Sequence, residues 1–414
     1  MGIKNFFQRV FKLSDTVSCP INIPAGFAAS SYDGRYISPD KALQLSTVFA
    51  CVRLISETVG TLPCQVYERK ENNGKVLVHD HWLYTILHDE PNADMTAADF
   101  WEVVCINLCL WGNHFSEIYR NGAGRVTAVY PLDPRLINVN RMSDGSVQYQ
   151  YADPYGGGSR AIPEEDMFHV RGFGTDSLVG LSPISCARMS LNIAVSAEEV
   201  AGSTYRNGMR PSGVISTDRV LTDEQREIMR EVYSGYASGP QNAGGLIPLE
   251  AGFKYQQLTI NPVDAQMLEN RSFSVEDICR WFKVPPYMVG HTEKSTSWGS
   301  GLEQQNTNFA TYTLRPYLRR IEAKAKVKLL TPAERQKYQI EFNLDALLRA
   351  DAQARANLYS SAVQNGWQTR NEVRAKENLP PVDGGDVLTV QSNMLPLDLL
   401  EEFILKNKRE TGND

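Results

Sequence analysis

Hydrophobic residues follow a helical spacing in two stretches of the first half of the chain. Pro39–Val59 and Ala97–Cys109 are each predicted to be a helix. Short alternating stretches bounded by turn residues predict strands at 64–68, 114–120, 125–131, 135–141, 146–151 and 167–170. The Asn-Gly pair in ENNGK (71–75) is typical of a hairpin turn. We therefore expect residues 31–181 to form a mixed α+β unit with antiparallel hairpins.

Two long helices are predicted in the middle of the chain. The first begins at Ser182-Pro183, a favoured N-cap followed by Pro at the first helical position, and continues to about residue 207. The second covers 264–283 and ends at Val284-Pro-Pro286, because proline cannot continue a helix. We expect these two helices to run antiparallel.

A small α/β module is predicted between the two long helices, at 211–261. Its strand patterns lie at 213–217, 244–249 and 253–260. Thr222 and Gln225 have the spacing of a capping box, which predicts the start of a helix.

The stretch KSTSWGSGLEQQNTNF (294–309) is rich in Ser, Thr, Gly and Asn and nearly neutral, so its first part is predicted to be a flexible loop. A third long helix is expected over 302–330, with a kink at Pro316 and an excess of Lys and Arg between 315 and 328. The pattern then predicts a strand at 338–344, helical material at 345–379 with a turn at 365–367, and a short amphipathic piece at 397–405.

The composition is typical of a globular protein, with 42% hydrophobic and 22% charged residues. A net charge of −6 argues against a dedicated tight DNA binder, which usually carries a basic footprint. No apolar run approaches the roughly 18 residues of a membrane span. Residues 3–13 are amphipathic, and docking on a neighbouring molecule is favoured over a membrane role. The seven cysteines include no C-x-x-C pair, so buried free thiols are expected instead of structural zinc.

Candidate catalytic and metal-binding groups are sparse. His79-Asp80-His81 could chelate a metal ion, but no third ligand has a suggestive spacing, and a solvated loop is the better interpretation. Glu164-Glu165-Asp166 has the pattern of a solvated turn, and His169 that of a structural histidine in a strand. Trp298 could either stack on a ligand or anchor its loop. The motifs of ATP-binding loops, zinc proteases and serine hydrolases are absent, so we expect no catalytic residue, metal or cofactor.

A series of stretches resembles the portal proteins of tailed double-stranded-DNA bacteriophages. They are STVFACVRLISETVGTLPCQVYE (46–68), HDEPN (88–92), DMFHVRGF (166–173) with DSLVGLSPISCA (176–187), YRNGMRPSGVI (205–215), VEDICRWFKVPPYMVG (275–290), STSWGSGLEQQNTNFATYTLRPYLRRIE (295–322) and NGWQTRNEVRAKENLPPVDGGD (365–386). The chain departs from the family pattern at Trp298-Gly299-Ser300, where Tyr-Ser-Asn is common.

The resemblance implies a portal fold, with a mixed α+β wing, a two-helix stem, a small α/β clip and a helical crown assembled as a ring. Transferred to this sequence, the regions are an N-terminal arm at 1–30, wing at 31–181 and 303–342, stem helices at 182–210 and 262–290, clip at 211–261, tunnel loop at 291–302, crown at 343–395 and C-terminal tail at 396–414.

The function implied by the resemblance is that of a non-enzymatic channel at one capsid vertex. Double-stranded DNA would be packaged and ejected through a ring, usually of twelve subunits in this family, that is assembled in the host cytoplasm and retained in the virion. The terminase large subunit would dock first and the head–tail adaptor later, with the major capsid protein around the ring and no membrane contact. ATP hydrolysis would belong to the terminase.

The resemblance also implies the sites. The tunnel loop would present Lys294, Ser295, Ser297, Trp298 and Ser300 to DNA. A channel-lining or subunit-contacting helix would carry Gln304, Asn308, Arg315 and Arg319, and the clip would offer Glu224, Glu227, Glu231 and Tyr236 to its partners. The basic positions 315–328 could instead be a solvated face paired with acids of a neighbouring subunit, which is slightly favoured.

Two other classes of protein are also compatible with the residues. One is a different head–tail structural protein such as an adaptor, although adaptors are usually shorter. The other is a metal-dependent hydrolase that uses His79, His81 and nearby acids.

Overall fold

The structure is a computed structural model of the chain. It describes residues 37–70, 74–175, 177–206, 213–217, 220–237, 253–257, 263–292, 305–344, 352–377 and 379–389. The chain divides into two compact units, Met1–Phe342 and Asn343–Asp414. The first unit contains both helices and antiparallel sheets, which confirms the predicted α+β class.

The described helices of the first unit are α1 (Pro39–Ala42), α2 (Ser46–Gly60), α3 (Trp82–His88), α4 (Ala97–Trp111), α5 (Pro183–Cys186), α6 (Arg188–Arg206), α7 (Asp223–Ala237), α8 (Val263–Phe282), α9 (Arg315–Leu329) and α10 (Glu334–Lys337). Its described strands are β1 (Cys64–Arg69), β2 (Lys75–Leu77), β3 (Asn113–Arg120), β4 (Val126–Leu132), β5 (Ile137–Arg141), β6 (Val147–Asp153), β7 (Gly158–Ile162), β8 (Met167–Arg171), β9 (Gly213–Thr217), β10 (Phe253–Gln257) and β11 (Tyr338–Phe342). A π-helical segment, Phe309–Leu314, precedes α9 directly.

The described strands form small antiparallel sheets with the orders β11-β1-β2, β4-β3-β8, β5-β6-β7 and β10-β9. In the first sheet Tyr67 pairs with Leu77, so β1 and β2 form the predicted hairpin, while its turn residues 71–73 lie outside the described part. The central strand of the second sheet brings Phe115 opposite both Leu132 and His169. Strands distant in sequence are thus joined around one core.

The core lies where α2 and α4 pack on each other and on the sheets. The inward face of α2 consists of Val48, Cys51, Val52, Ile55 and Val59, all buried. A capping box between Thr96 and Asp99 starts α4, which buries large side chains such as Trp101 and Leu108. Burying one large apolar side chain contributes roughly 1.5–3 kcal/mol, so this helix pair supplies much of the stability of the unit.

A close crossing of main chains connects this core to the long helices. Gly112 ends α4 with a φ of 71°, and its carbonyl accepts a hydrogen bond from Gly172 N at 2.8 Å. A Cβ on Gly180 would come within 2.2 Å of the same carbonyl oxygen. Glycine is therefore required at 180 because the two main chains touch there.

Asn113 fixes this crossing through its buried side chain. Its Oδ1 accepts a hydrogen bond from Gly180 N at 2.7 Å, and its Nδ2 donates to Gly180 O at 2.9 Å. Ser182, two residues after Gly180, is the predicted N-cap, and its Oγ accepts a hydrogen bond from Ser185 N. The same hydroxyl donates a hydrogen bond to Leu110 O at 2.6 Å. The start of α5 is therefore bonded to the end of α4.

Two predicted helices are interrupted in the structure. The prediction of one helix over 39–59 is wrong, because Leu45 adopts an extended conformation and separates α1 from α2 while its side chain is buried. The prediction of one helix from 182 to 207 is also wrong, because Ala187 has a ψ of 5° and separates α5 from α6. This break lets α5 pack on α4 and α6 pack on α8.

Helices α3 and α10 and strand β7 had not been predicted. Helix α3 starts at His81, whose Nδ1 accepts a hydrogen bond from Leu83 N at 3.1 Å, and histidine is not among the preferred N-cap residues. Strands β2 and β7 consist mainly of exposed residues, so neither shows an apolar alternation. The predicted strand at 244–249 and the amphipathic piece at 397–405 lie outside the described residues.

The second unit contains two described helices, α11 (Ala352–Gln364) and α12 (Arg370–Lys376). The predicted turn between them is confirmed, with Gly366 at a φ of 72°. A capping box between Thr369 and Glu372 starts α12. The buried Asn371 side chain accepts a hydrogen bond from Val382 N at 2.9 Å and so holds the following segment against this helix.

Candidate functional site

The antiparallel pair of long helices is the first part of the candidate site. Trp281 Nε1 at the end of α8 donates to Ser190 Oγ at the start of α6, at 3.2 Å. Further along, Ala197 of α6 and Ser274 of α8 line the same small cavity. Rising residue numbers in α6 therefore meet falling numbers in α8, which confirms the predicted antiparallel arrangement.

Helix α8 is also held against α2 in the core. Cys51 Sγ and Cys279 Sγ lie 4.0 Å apart, and both side chains are buried. The hydrogen bond with the Cys279 thiol and the burial of the site raise the pKa of Cys51 well above its ordinary value. The cysteines among the described residues are free thiols, as predicted.

The chain turns sharply after α8. Lys283 has a φ of 56°, in the left-handed region that non-glycine residues seldom occupy. A short 3₁₀ helix, Pro286–Val289, follows and ends at Gly290, whose φ is 84°. The predicted break at 284–286 is thus confirmed.

Both flanks of the predicted tunnel loop are fixed by side chains. The Tyr287 hydroxyl donates a hydrogen bond to Asn306 Oδ1 at 2.7 Å. This bond joins the segment before the loop to the segment after it. His291 Nε2 lies 3.3 Å from Ser272 Oγ and 3.8 Å from Glu276 Oε1, both on α8. The structure thus fixes where this loop leaves and rejoins the described part of the chain.

The helix after the loop contains a π-helical segment where the sequence predicted a kink at Pro316. Pro316 has no N–H, so a regular α-helix would lose one hydrogen bond there. Just before it, Arg315 N bonds to Ala310 O, five residues back, which is the π pattern. Thr313 donates its hydroxyl to Lys283 O, so the widened turn is bonded to the end of α8.

One arginine of helix α9 forms an ion pair within the first unit. Arg319 Nη1 pairs with Glu322 Oε2 at 3.1 Å, and Glu322 Oε1 accepts from Phe342 N at 3.0 Å. Burial raises the pKa of Glu322 above its ordinary value. Lys324 is half-buried, and burial lowers its pKa. The face formed by Leu318, Ile321, Ala325 and Leu329 is buried.

The predicted site residues have different positions in the structure. Asn308 and Arg315 are exposed on the helix after the loop, and Arg319 is exposed beside Glu322. The predicted clip acids Glu224, Glu227 and Glu231 are exposed on α7, and Tyr236 belongs to the same helix. Six predicted residues lie outside the described part of the chain: Lys294, Ser295, Ser297, Trp298, Ser300 and Gln304.

Sequence reasoning missed the residues that fix the loop flanks. Tyr287, His291, Asn306 and Thr313 each bond to a partner at least a dozen residues away. A single sequence contains no signal for such a pairing. Only the break at 284–286 had indicated that a turn precedes the loop.

The residues of the hydrolase alternative do not form a site. His81 is buried at the start of α3, and burial lowers its pKa, while His79 contacts Tyr84 with ring centroids 4.9 Å apart. Within the ranges described above, no group of three or more His, Cys, Asp or Glu side chains is placed to hold a metal ion. Glu164–Asp166 forms a 3₁₀ turn with no buried residue, as predicted. No described helix is long and apolar enough to cross a bilayer.

His169 is a structural histidine, as predicted. Its Nε2 lies 3.1 Å from Asn113 Oδ1 and its Nδ1 3.2 Å from the Tyr149 hydroxyl. Burial, together with nearby cations, lowers its pKa well below the ordinary value, so the ring is neutral at pH 7.

A family model and two phage proteins that are similar to this chain are described as portal proteins. The model of the family "Phage portal protein" matches residues 46–378. The portal protein of Enterobacteria phage HK97 is 38% identical over 364 residues, 87% of this chain and 85% of the phage protein. The probable portal protein of Streptomyces phage phiC31 is 33% identical over 368 residues, 86% of this chain and 79% of its own length.

Solved structures share the fold. An HK97-family phage portal protein from Corynebacterium diphtheriae has a TM-score of 0.57 at 13% identity, covering 76% of this chain and 99% of its own. A chain from the neck of a native gene transfer agent particle, computed with C12 symmetry, has a TM-score of 0.57 at 23% identity. The match covers 86% of this chain and 99% of the neck chain.

The α+β fold is that of the phage portal protein and the neck chain just described. More specifically, the chain belongs to the phage portal protein family. Proteins of this family are structural components.

Proposed function

We propose that copies of this chain form a ring at one vertex of a phage capsid, and that double-stranded DNA passes through the ring during packaging and ejection. The observation that carries this proposal is the 38% identity to the HK97 portal protein over 87% of the chain. A ring of twelve is supported by the similar neck chain computed with C12 symmetry. The site of action would be the virion, after assembly in the host cytoplasm.

The regions have separate roles in this proposal. The pair α6 and α8 is the stem, 211–261 the clip, 291–302 the tunnel loop and 343–395 the crown. Residues 31–181 and 303–342 form the wing, which would face the major capsid protein. The exposed acids of α7 give the clip a negative surface for the terminase large subunit and later for the head–tail adaptor.

The loop composition fits passage of DNA without tight binding. Each charge on one subunit is repeated around a ring, and about 6–10 neutralised phosphates already give affinities that fall by roughly 10³–10⁵ between 50 and 200 mM salt. A strongly basic loop would therefore hold the duplex and stop it. Serine and threonine hydroxyls instead make weak, exchangeable hydrogen bonds to phosphates. Lys294 is the one cation of the stretch 294–309.

The test replaces the loop serines with lysine. The variant Ser295→Lys/Ser297→Lys/Ser300→Lys should form normal rings but package DNA at least about tenfold more slowly at low salt, with recovery as salt rises. A matched control with asparagine at the same positions keeps the loop polar and neutral and should package at the unmodified rate. Full-rate packaging by the lysine variant at low salt would refute the weak-contact argument.

The proposal as a whole is tested by imaging the purified chain. Annular particles with a central hole are expected in negative-stain micrographs. A monomer at every concentration would contradict the ring.

A further inference from the structure

Asparagine is followed by glycine at positions 73, 121, 207 and 365 of this chain. An asparagine in such a pair can lose ammonia by reacting with the next main-chain nitrogen, because glycine has no Cβ to shield that nitrogen. Asn121 and Asn365, with the glycines that follow them, lie within the described residues, and both asparagines are exposed. Exposure therefore does not distinguish these two sites, whereas their hydrogen bonds do.

Asn121 begins the turn between β3 and β4. Its Oδ1 accepts hydrogen bonds from Ala123 N at 3.0 Å and from Arg125 N at 3.1 Å. Its main-chain carbonyl accepts a third from Gly124 N at 2.8 Å, which closes the turn. Within the described part of the chain, neither Gly122 N nor Asn121 Nδ2 has a hydrogen-bond partner. The turn is thus fixed by bonds that leave both of these nitrogens available for reaction.

The bonds to Oδ1 favour an attack of Gly122 N on Cγ of Asn121. As the new N–Cγ bond forms, negative charge moves onto Oδ1, where two main-chain N–H groups already donate. Donors placed where negative charge develops stabilise a tetrahedral intermediate, as in an oxyanion hole. The two reacting groups also belong to one closed turn, so little further ordering is needed before they react.

The second site has the opposite arrangement. Asn365 Nδ2 donates to Ser361 O at 2.9 Å and to Ser361 Oγ at 3.1 Å. Gly366 N donates to Val363 O at 3.3 Å, at the end of α11. Reaction at this site would break the bonds of both nitrogens, and each lost bond raises the barrier. The same pair of residues is therefore held in an unreactive state here.

We propose that Asn121 is a site of spontaneous deamidation in the folded protein and that Asn365 is protected by its hydrogen bonds. Gly122 N gives up its proton and bonds to Cγ of Asn121, the Cγ–Nδ2 bond breaks, and Nδ2 leaves as ammonia with that proton. The product is a five-membered succinimide. Water then opens the ring at either carbonyl and gives aspartate or isoaspartate at position 121, so no oxidant or reductant is needed.

The reaction would change the β3–β4 hairpin in two ways. Either product adds a negative charge to a turn that Arg120 and Arg125 flank in the sequence. Isoaspartate also adds a methylene group to the main chain of a turn that a hydrogen bond closes. This inference goes beyond the proposed channel function and does not depend on it.

The test follows the full-length protein by peptide mass mapping during incubation at mildly alkaline pH. Water enriched in heavy oxygen marks the asparagines that react before digestion, because opening of the succinimide incorporates oxygen from water. Asn121 should convert at least about tenfold faster than Asn365, since only the second site must first break hydrogen bonds. In urea the two rates should become similar, because glycine follows both residues. Equal rates in the folded protein, or faster conversion of Asn365, would overturn the proposal.

A substitution of the attacking residue provides a second test. Gly122→Ala places a methyl group beside the attacking nitrogen and should slow the conversion of Asn121 at least about tenfold. A Cβ at Gly122 would have no atom within 4 Å, and φ is not in the left-handed region, so the turn should keep its structure. The matched control Ala123→Gly keeps the main-chain bond to Oδ1 and should leave the rate unchanged.

An unchanged rate in Gly122→Ala would show that Gly122 N is not the attacking group, which also overturns the proposal. Peptide masses report this reaction whether or not rings form. Failure of the proposed channel function would therefore be recognised separately, by negative-stain images of the same samples.

Discussion

Two buried histidines should make the fold sensitive to mild acid. His114 is fully buried between Asn107 Nδ2, 3.1 Å from its Nδ1, and Ser116 Oγ, 2.7 Å from its Nε2. Burial lowers its pKa from 6.5 to about 3. Burial likewise lowers the pKa of His169 well below 6.5. Both rings are therefore neutral in the folded protein at pH values where the unfolded chain already binds their protons.

The sign and size of the effect follow from this difference. Between about pH 6.5 and the lowered folded pKa, the unfolded state holds one more proton per histidine, so the free energy of unfolding falls as pH falls, by about 1.4 kcal/mol per pH unit. At pH 5 the loss from His114 should amount to about 2 kcal/mol of stability relative to pH 7, and His169 should add a loss of the same sign. A loss of about 2 kcal/mol is already a substantial part of the typical 5–15 kcal/mol of a folded domain.

The assay is urea denaturation followed by tryptophan fluorescence, since Trp101 is buried in α4. Between about pH 4.5 and 6, the slope of unfolding free energy against pH should decrease by about 1.4 kcal/mol per unit in His114→Gln. The slope should also decrease in His169→Gln, and it should decrease most in the double variant. Asn121→Ala, which changes a non-titrating residue of an exposed turn, is the control and should leave the slope unchanged. A double variant that keeps the original slope would show that these rings do titrate normally in the fold.

Two further substitutions test contacts described above. Asn113→Ala should lower the free energy of unfolding by about 2–5 kcal/mol, because it leaves both main-chain polar groups of Gly180 unpaired in the interior. The control Asn121→Ala, in an exposed turn, should lower it by less than about 1 kcal/mol. Equal urea midpoints for the two variants would contradict this prediction. Tyr287→Phe removes the hydrogen bond to Asn306 and should speed protease cleavage within 293–304 without changing the urea midpoint. The control Tyr155→Phe, at a fully exposed side chain, should change neither the cleavage rate nor the midpoint. Unchanged cleavage in Tyr287→Phe would show that this hydrogen bond does not restrain the loop.

The elements that the sequence predicts correctly have local signals. The N-cap at Ser182, the capping box at Thr222 and the apolar period of α4 each act within a few residues, and the structure has all three. The interruption at Ala187 has no such signal, because it depends on which partner each half of the helix contacts. Helix α3 was missed because its cap is a histidine.

The candidate site was predictable only in part. The resemblance to portal proteins led to the family, which is confirmed, and to Asn308 and Arg315, which are exposed beside the loop. The roles of these residues, and of the loop residues 294–300, remain predictions. The bonds that fix the loop flanks could not be found, since Tyr287 and Asn306 are joined by three-dimensional proximity alone.

The π-helical segment Phe309–Leu314 determines the direction in which the preceding residues face. Each residue of a helix turns the chain by about 100°, so the single extra residue in this wide turn rotates Gln305–Asn308 by that angle relative to a regular helix. Deleting one amino acid in this segment would turn Asn306 away from Tyr287 even if all other residues were unchanged. The orientation of Gln305–Asn308 is thus set by the number of residues in this helix, and a length change of one would rotate this segment more than most substitutions could.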